Sequence, residues 1–207
     1  VIVGGLKRIA TVTEKIVPFM VLIYMVGTIA ILVKNFAMIP AVFAAIFEGA
    51  FALKAAGGGI VGYGIKLAIE QGMKRGVFSN EAGLGSSVMV HSNSNVRGPV
   101  RQGMWGIFEV FADTMVVCTL TAFTVLSSGL IDLDTGIAVT EYAGVELTKA
   151  NLVSTVFTMN FGWLGGAFVA IAIVLFAYST VLGWSQYASK ACEYLFGARA
   201  AKVYRIV

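Results

Sequence analysis

Charge is scarce in this sequence, and cysteine and histidine are nearly absent. Charged residues make up 13% of the 207 residues, against about 25% in an average soluble domain. The net charge of +4 comes from basic residues that are scattered or lie beside apolar runs, which argues against a nucleic-acid interface. Cys118, Cys192 and the single histidine, His91, have no metal-ligand spacing. The composition therefore offers no basis for a metal centre or a disulfide scaffold.

Long apolar runs take the place of charge. Residues 16–33 and 114–131 each form a run of 18 residues without a charge, and residues 150–189 form a run of 40. A helix rises about 1.5 Å per residue, so roughly 20 apolar residues cross the ~30 Å hydrocarbon core of a bilayer. We therefore predict an all-α transmembrane protein, with lipid as its surroundings. The alternative is a large soluble core of buried helices.

The apolar runs predict one integral-membrane domain over residues 1–207. The expected membrane-spanning segments are 14–34, 57–92 (interrupted), 102–128 and 163–189, and the expected interfacial segments are 38–54 and 132–160. Pro18 is expected in the first turns of the first helix, where its missing N–H costs little. The abrupt start, Val-Ile-Val-Gly-Gly, leads us to expect a fragment of a longer protein.

The distribution of Lys and Arg predicts the orientation of these segments, because basic residues favour the cytoplasmic side of short loops. They cluster before the first span, before 102–128 and after the last span, at Lys7, Arg8, Lys15, Arg97, Arg101, Lys190, Arg199, Lys202 and Arg205. The loop 132–149 has four acidic residues and one lysine, so we expect it outside. An odd number of crossings must then separate Lys34 from Arg97. The simplest number is one, through residues 57–91.

That crossing contains the most informative segment of the chain, Arg-Gly-Val-Phe-Ser-Asn-Glu-Ala-Gly-Leu-Gly-Ser at residues 75–86. Non-helical backbone at membrane depth is tolerated only inside protein or along a cavity, and transporters bind substrate and coupling ion at such breaks. The free ends of two half-helices suit an amino-acid zwitterion. The candidate substrate-binding residues are Phe78, Ser79, Asn80 and Gly83. Two alternatives stay open: a cytoplasmic loop with a helix N-cap at Ser79 or Asn80, and a break at 57–59.

Two further spans carry polar residues of interest. Asp113 lies inside the span 102–128, and an acidic residue at that depth indicates a functional site. We consider it a candidate for ion coupling; the alternative is a helix cap or an ion pair with Lys or Arg.

In the last span, Thr180 and Trp184 are four residues apart and share a helix face. The adjacent hydroxyls of Ser179 and Thr180 suit a monovalent cation such as sodium, and the indole of Trp184 suits the wall of a small substrate pocket. The alternative is an interfacial aromatic anchor with ordinary packing hydroxyls.

These segments, in order, resemble the alanine or glycine:cation symporter family, the sodium–alanine symporters. The motifs that carry the resemblance are Lys74-Arg-Gly-Val-Phe-Ser-Asn-Glu-Ala-Gly-Leu-Gly-Ser86, Pro99-Val-Arg-Gln-Gly103, Val110-Phe-Ala-Asp-Thr-Met-Val-Val-Cys-Thr-Leu-Thr-Ala122, Phe176 to Trp184 and Glu193-Tyr-Leu-Phe-Gly197. The resemblance implies a leucine-transporter-like bundle of two inverted five-helix repeats. The chain would then supply helices five to eight and the start of nine, with residues 78–83 as the unwound part of helix six and Ser179, Thr180 and Trp184 on helix eight.

The expected function is sodium-coupled symport of a small neutral amino acid, alanine or glycine, by alternating access. By this resemblance the expected location is a plasma membrane, the inner membrane of a prokaryote. Sodium is the coupling ion, and neither a cofactor nor an enzymatic reaction is expected. The flanking N-terminal and C-terminal helices of the same carrier would be partners of this chain. The alternatives are an ion-conducting pore, a non-transporting membrane subunit or a membrane-embedded enzyme. The sequence does not decide whether sodium or protons drive uptake, or whether alanine or glycine is the preferred substrate.

Overall fold

The computed structural model describes residues 5–51, 60–81, 83–92, 94–148 and 150–205. The helices are α1 (Gly5–Lys34), a 3-10 turn (Phe36–Met38), α2 (Ile39–Phe51), α3 (Ile60–Ser79), α4 (Ser87–His91), α5 (Pro99–Val110), a π-helical segment (Phe111–Cys118), α6 (Thr119–Leu126), α7 (Leu152–Phe161) and α8 (Trp163–Tyr204). Two short strands, β1 (Glu141–Tyr142) and β2 (Val145–Glu146), form an antiparallel hairpin.

Three helices in the described ranges are long and apolar enough to cross a membrane: Thr11–Lys34, Pro99–Leu126 and Trp163–Tyr204. Most of their apolar surface is exposed in the isolated chain, as expected for surfaces that meet lipid or further helices. The helix α3 is not one of the three, because its 20 residues include four charges. These features confirm a mostly helical membrane protein.

The longest helices extend beyond the predicted segments. The first begins at Gly5, so Pro18 lies in the helix interior, where its ring removes one backbone hydrogen bond. The last continues to Tyr204 and changes direction at Gly197, whose φ of 82° lies in the left-handed region. Lys190, which marks the end of the apolar run, pairs with Glu193 one turn later at 3.2 Å. Charge ended the apolar pattern there without ending the helix.

The segment 132–160, predicted as one interfacial connection, divides into the β-hairpin and α7. Ala143 and Gly144 occupy the turn of the hairpin with φ of 52° and 80°, which is the backbone of a tight two-residue turn. The helix α7 ends at Phe161, and the positive φ of Gly162 turns the chain into α8. The acidic loop is therefore a small ordered element between α6 and α7.

The core lies where α7 packs against α8 and α1. The ring of Phe157, 1% exposed, stacks on Tyr24 with centroids 6.0 Å apart and on Phe168 at 5.3 Å. Glycine permits this approach: a Cβ on Gly165 would lie 2.1 Å from the Phe157 carbonyl oxygen. Tyr24 also bonds Thr121 through its hydroxyl at 2.8 Å. This core aligns α1, α6 and α8 around the polar region described next.

The helix α3 unwinds where the glycine-rich segment begins. It ends at Ser79, α4 begins at Ser87, and the described residues between them form turns. Glu81, Gly83 and Gly85 have φ of 51°, 78° and 76°, values that stop a right-handed helix. The predicted non-helical backbone within residues 75–85 is confirmed. The alternative break at 57–59 falls outside the described residues.

Candidate functional site

A cavity of about 1310 Å³ opens between α1, the break at 80–86, the helix 99–126 and α8. Its apolar wall comes from α1 and from Phe176 of α8, and its polar wall comes from the break, the π-helical segment and α8. The predicted site residues that line it are Ser79, Asn80, Gly83, Asp113, Ser179 and Thr180. Residues that are 100 positions apart in sequence therefore border one space.

Two predicted residues lie away from this wall. Phe78 is 70% exposed and Trp184 is 52% exposed, and neither lines the cavity. Phe78 precedes Ser79 by one residue, and successive helical side chains point about 100° apart, so one of the pair must turn away. Trp184 packs edge-to-face against Tyr187, with ring centroids 6.0 Å apart, and it is Tyr187 that reaches the cavity.

Ser79 joins the end of α3 to the π-helical segment. Its hydroxyl donates to Oδ2 of Asp113 over 2.7 Å. A hydrogen bond to a charged acceptor is stronger than one between neutral groups. In the described part of the chain Asp113 makes no ion pair with Lys or Arg. The Asp113 side chain is thus held at the cavity by the last residue of α3 and not by a basic residue.

Asn80 makes a second connection one residue later. Its amide nitrogen lies 3.1 Å from the hydroxyl of Thr114 and 3.1 Å from the carbonyl oxygen of Gly76, to which it donates. The Gly76 carbonyl oxygen also accepts from the backbone N–H of Asn80 at 3.1 Å, so the residue that follows α3 closes its last turn with two donors. Ser79 and Asn80 therefore lie at a helix C-terminus, and the alternative of a helix N-cap there is wrong.

The π-helix explains how neighbouring residues Asp113 and Thr114 both reach the break. A π-helix closes its hydrogen bonds from i to i+5, so its turns are wider than those of an α-helix. Such segments are rare and occur frequently at functional sites. Here the eight residues Phe111–Cys118 interrupt a span that is α-helical on both sides. No local feature of residues 111–118 predicts this change.

Glu81 connects the break to α8. One carboxylate oxygen, Oε2, accepts a hydrogen bond from Ser86 at 2.6 Å and another from the Tyr187 hydroxyl at 3.0 Å. Glu81, Thr114 and Tyr187 were not among the predicted site residues. Tyr187 follows Thr180 by seven residues and so shares its helix face, which is the one sequence signal that pointed to it.

Ser179 and Thr180 present their oxygens from the middle of α8. Both hydroxyls donate to the carbonyl oxygen of Phe176, each at 2.9 Å. With the protons committed to that carbonyl, the lone pairs of the two hydroxyl oxygens remain available as acceptors. The described residues contain no cluster of three or more His, Cys, Asp or Glu side chains that would bind a transition metal. The cation-binding groups that the wall does offer are hydroxyl oxygens and the carboxylates of Glu81, Glu109 and Asp113.

His91 lies at one end of the cavity, where α4 meets α5. Its Nδ1 contacts the side-chain amide of Gln102, and its Nε2 lies 3.8 Å from a carboxylate oxygen of Glu109. Glu109 is mostly exposed, so an ion pair there is screened and weak. His91 is therefore a polar residue of the cavity rim.

Comparison with known proteins shows the family to which the sequence belongs. The family model described as the sodium:alanine symporter family matches residues 1–207. The chain is 40% identical over 206 residues to the sodium/alanine symporter AgcS of Methanococcus maripaludis, covering 100% of this chain and 43% of that protein. It is 36% identical over 198 residues to a sodium/proton-dependent alanine carrier protein of Bacillus sp. strain PS3, covering 94% and 43%.

A third relative widens the range of named substrates. The probable sodium/glutamine symporter GlnT of Bacillus subtilis is 37% identical over 183 residues, covering 88% of this chain and 35% of that protein. The chain thus spans about two fifths of the length of these relatives. All three names describe sodium-dependent carriers and none describes an enzyme or a cofactor-dependent protein. With a family match along its whole length, the chain belongs to the sodium:alanine symporter family.

Proposed function

We propose that this chain is part of a symporter that couples the movement of a small neutral amino acid, alanine or glycine, to sodium. The chain spans 43% of AgcS, so the activity requires the further helices of the same carrier, which the family resemblance implies on both sides of it. "Complete carrier" below means this chain together with those helices. We further propose that the carrier has the leucine-transporter-like inverted repeat, resides in the plasma membrane and works by alternating access.

The observation that carries the proposal is the shared cavity. The break after Ser79 and the hydroxyl pair of Ser179 and Thr180 border the same space, although they are far apart in sequence. Carriers place substrate and coupling ion where discontinuous helices expose free backbone groups. The break supplies both a helix C-terminus and side-chain amide and hydroxyl groups. An amino acid and a cation can therefore be held side by side.

Each proposed ligand has a partner of suitable chemistry. The carbonyl groups at the C-terminal end of α3 and the carboxylate of Asp113 suit the ammonium group of the amino acid. The oxygens of Ser179 and Thr180 suit sodium. Neutral side chains are expected in the substrate, because the apolar wall formed by Val17, Met20 and Phe176 offers no partner for a charge.

Trp184 is the proposed limit on substrate size. It does not line the cavity itself, but its ring supports Tyr187, which does. A smaller side chain at 184 would allow Tyr187 to withdraw and enlarge the space. GlnT is named for a larger amino acid, so pocket size is expected to differ among members of the family, and position 184 is a place where it can change.

The test is uptake into proteoliposomes that contain the complete carrier. We expect alanine uptake to be saturable and to require an inward sodium gradient. Glycine should compete with alanine for uptake. Liposomes given only an inward proton gradient test proton coupling, and excess glutamine tests the upper limit of substrate size. Uptake without saturation, or a sodium current in the absence of any amino acid, would indicate a pore and overturn the proposal.

A further inference from the structure

We propose that the hydrogen bond between Glu81 and Tyr187 transmits sodium binding on α8 to the substrate-binding break. The inference rests on the proposed function and adds to it a pair of positioning residues that link the two sites. Ser79 and Asn80 bond to the π-helical segment. Glu81, in contrast, reaches α8. Movement of α8 relative to the break must therefore stretch or break this bond.

The backbone of Glu81 supports a specific role for its side chain. Its φ of 51° is unfavourable for a residue other than glycine, Asn or Asp. Strained residues persist where the surrounding contacts hold them and where they serve a function. The neighbouring Gly83 and Gly85 have the same backbone sign without strain. A glutamate in this position is consistent with a requirement for its carboxylate.

The partner of Glu81 lies on the same face of α8 as the proposed sodium ligands. Tyr187 follows Thr180 by seven residues, or two turns, which separates them by about 10 Å along the helix. Its ring also contacts Trp184. Thr180, Trp184 and Tyr187 therefore form one stripe from the proposed ion site to the break. A cation that binds Thr180 restricts the motion of this part of α8, including Tyr187, to which Glu81 is hydrogen-bonded.

This arrangement makes the two binding events cooperative. Sodium that fixes α8 also restricts the break through this bond. Alanine then loses less conformational entropy when it orders the break, so it binds more tightly. The coupling is reciprocal, so alanine should strengthen sodium binding by the same factor by which sodium strengthens alanine binding. The measurable quantity is this coupling factor, the ratio of the alanine Kd without sodium to the Kd at saturating sodium.

The experiment measures alanine binding to the purified complete carrier by isothermal titration, in sodium or in choline. In the unmutated carrier we expect a coupling factor in the usual range of about 5 to 150. Tyr187→Phe should reduce the coupling factor by about tenfold, or to one if the factor is smaller than that, because this is the scale of a hydrogen bond to a charged acceptor. The alanine Kd measured in choline should change much less. A purely structural role would weaken both measurements equally.

Two further variants complete the test. Glu81→Gly removes the carboxylate but suits the positive φ, so it should fold and yet lose the coupling; the double variant with Tyr187→Phe should lose no more. Tyr178→Phe is the matched control, since it removes a hydroxyl from an exposed tyrosine of the same helix.

The outcomes separate the two proposals. An unchanged coupling factor in Tyr187→Phe or in Glu81→Gly would overturn the link while leaving the symporter proposal intact. A factor of one in the unmutated carrier would also overturn the link, and sodium-driven uptake then decides the symporter proposal separately.

Discussion

Ser79 and Asp113, 34 residues apart, are joined by a hydrogen bond of 2.7 Å that fastens the end of α3 to the π-helical segment. The bond places an acidic side chain of one candidate membrane span against the residue at which another helix unwinds. Asn80 and Thr114 repeat the contact one residue later on each side. Two consecutive pairs define the relative position of the two segments more firmly than one.

Asp113→Asn should impair transport more than Ser79→Ala. The first change removes the negative charge from the cavity, whereas the second removes one neutral donor to it. A hydrogen bond to a charged group contributes about 1.5–3 kcal/mol, so we expect the apparent affinity for alanine or sodium to fall roughly tenfold or more. The measurement is initial uptake rate against concentration of each solute. Asp134→Asn, in the exposed loop, is the control and should behave as the unmutated carrier.

Thr180→Val should weaken the sodium response more than it changes substrate preference. Loss of one oxygen leaves a partly dehydrated cation short of a ligand, so the sodium concentration for half-maximal uptake should rise. Thr158→Val on α7 is the matched control, because Thr158 also donates to a carbonyl one turn earlier but does not line the cavity. An unaltered sodium response in Thr180→Val would remove Thr180 from the proposed ion site.

Trp184→Ala should extend the substrate range towards larger amino acids. The change removes the ring that supports Tyr187. Glutamine should therefore inhibit alanine uptake more strongly in the variant than in the unmutated carrier. Competition profiles of the two carriers, measured at equal alanine uptake, provide the comparison. If the profile does not change, Trp184 is an exposed packing or interface residue and does not set substrate size.

Gly165→Ala should destabilise the protein, whereas Gly183→Ala in the same helix should not. A Cβ at 165 would lie 2.1 Å from the Phe157 carbonyl oxygen, while nothing lies within 4 Å of a Cβ at 183. Forced displacement of packed elements costs about 1–3 kcal/mol, and Gly→Ala in an open helical position is mildly favourable. Thermal unfolding in detergent should show a lower Tm for the first variant only. Equal Tm values would contradict the packing of α7 on α8.

The orientation predicted from Lys and Arg can be tested with single cysteines. In a background that lacks Cys118 and Cys192, a cysteine at Asp134 should react with an impermeant thiol reagent from outside intact cells. A cysteine at Arg199 should react only after the membrane is opened. External labelling at Arg199 would contradict the orientation.

Asp132 should make the order of the loop after α6 sensitive to acid. Hydrogen bonds from the Asp134 amide and the Thr135 hydroxyl hold the pKa of Asp132 below its ordinary value of 3.8. Because the folded-state pKa is depressed, the stabilisation is present above the unfolded-state pKa and is lost as the pH falls through the folded-state pKa. Amide exchange of residues 132–139 should become faster as this stabilisation is lost. In Asp132→Ala the stabilisation is absent, so exchange should be fast at every pH tested and should show no such acid transition.

Local pattern determined the class of this protein and the place where its third helix breaks. Apolar length alone indicates membrane helices, and the glycines and polar residues of 75–86 indicate unwinding because backbone with φ near +80° favours glycine. The family resemblance likewise depended only on the order of residues. The predicted span 163–189 follows the apolar run, whereas the helix itself continues beyond Lys190, because a change in polarity does not by itself end a helix.

Tertiary structure decided which polar groups meet. Nothing in the sequence joins Ser79 to Asp113 or Glu81 to Tyr187, pairs separated by 34 and 106 positions. These contacts depend on how the helices pack around Phe157, on the direction that each residue faces and on the π-helical turn at Phe111–Cys118. Periodicity determines which face of a helix a residue occupies. Which helix that face meets is decided by packing over the whole chain, because such long-range contacts have no local signature.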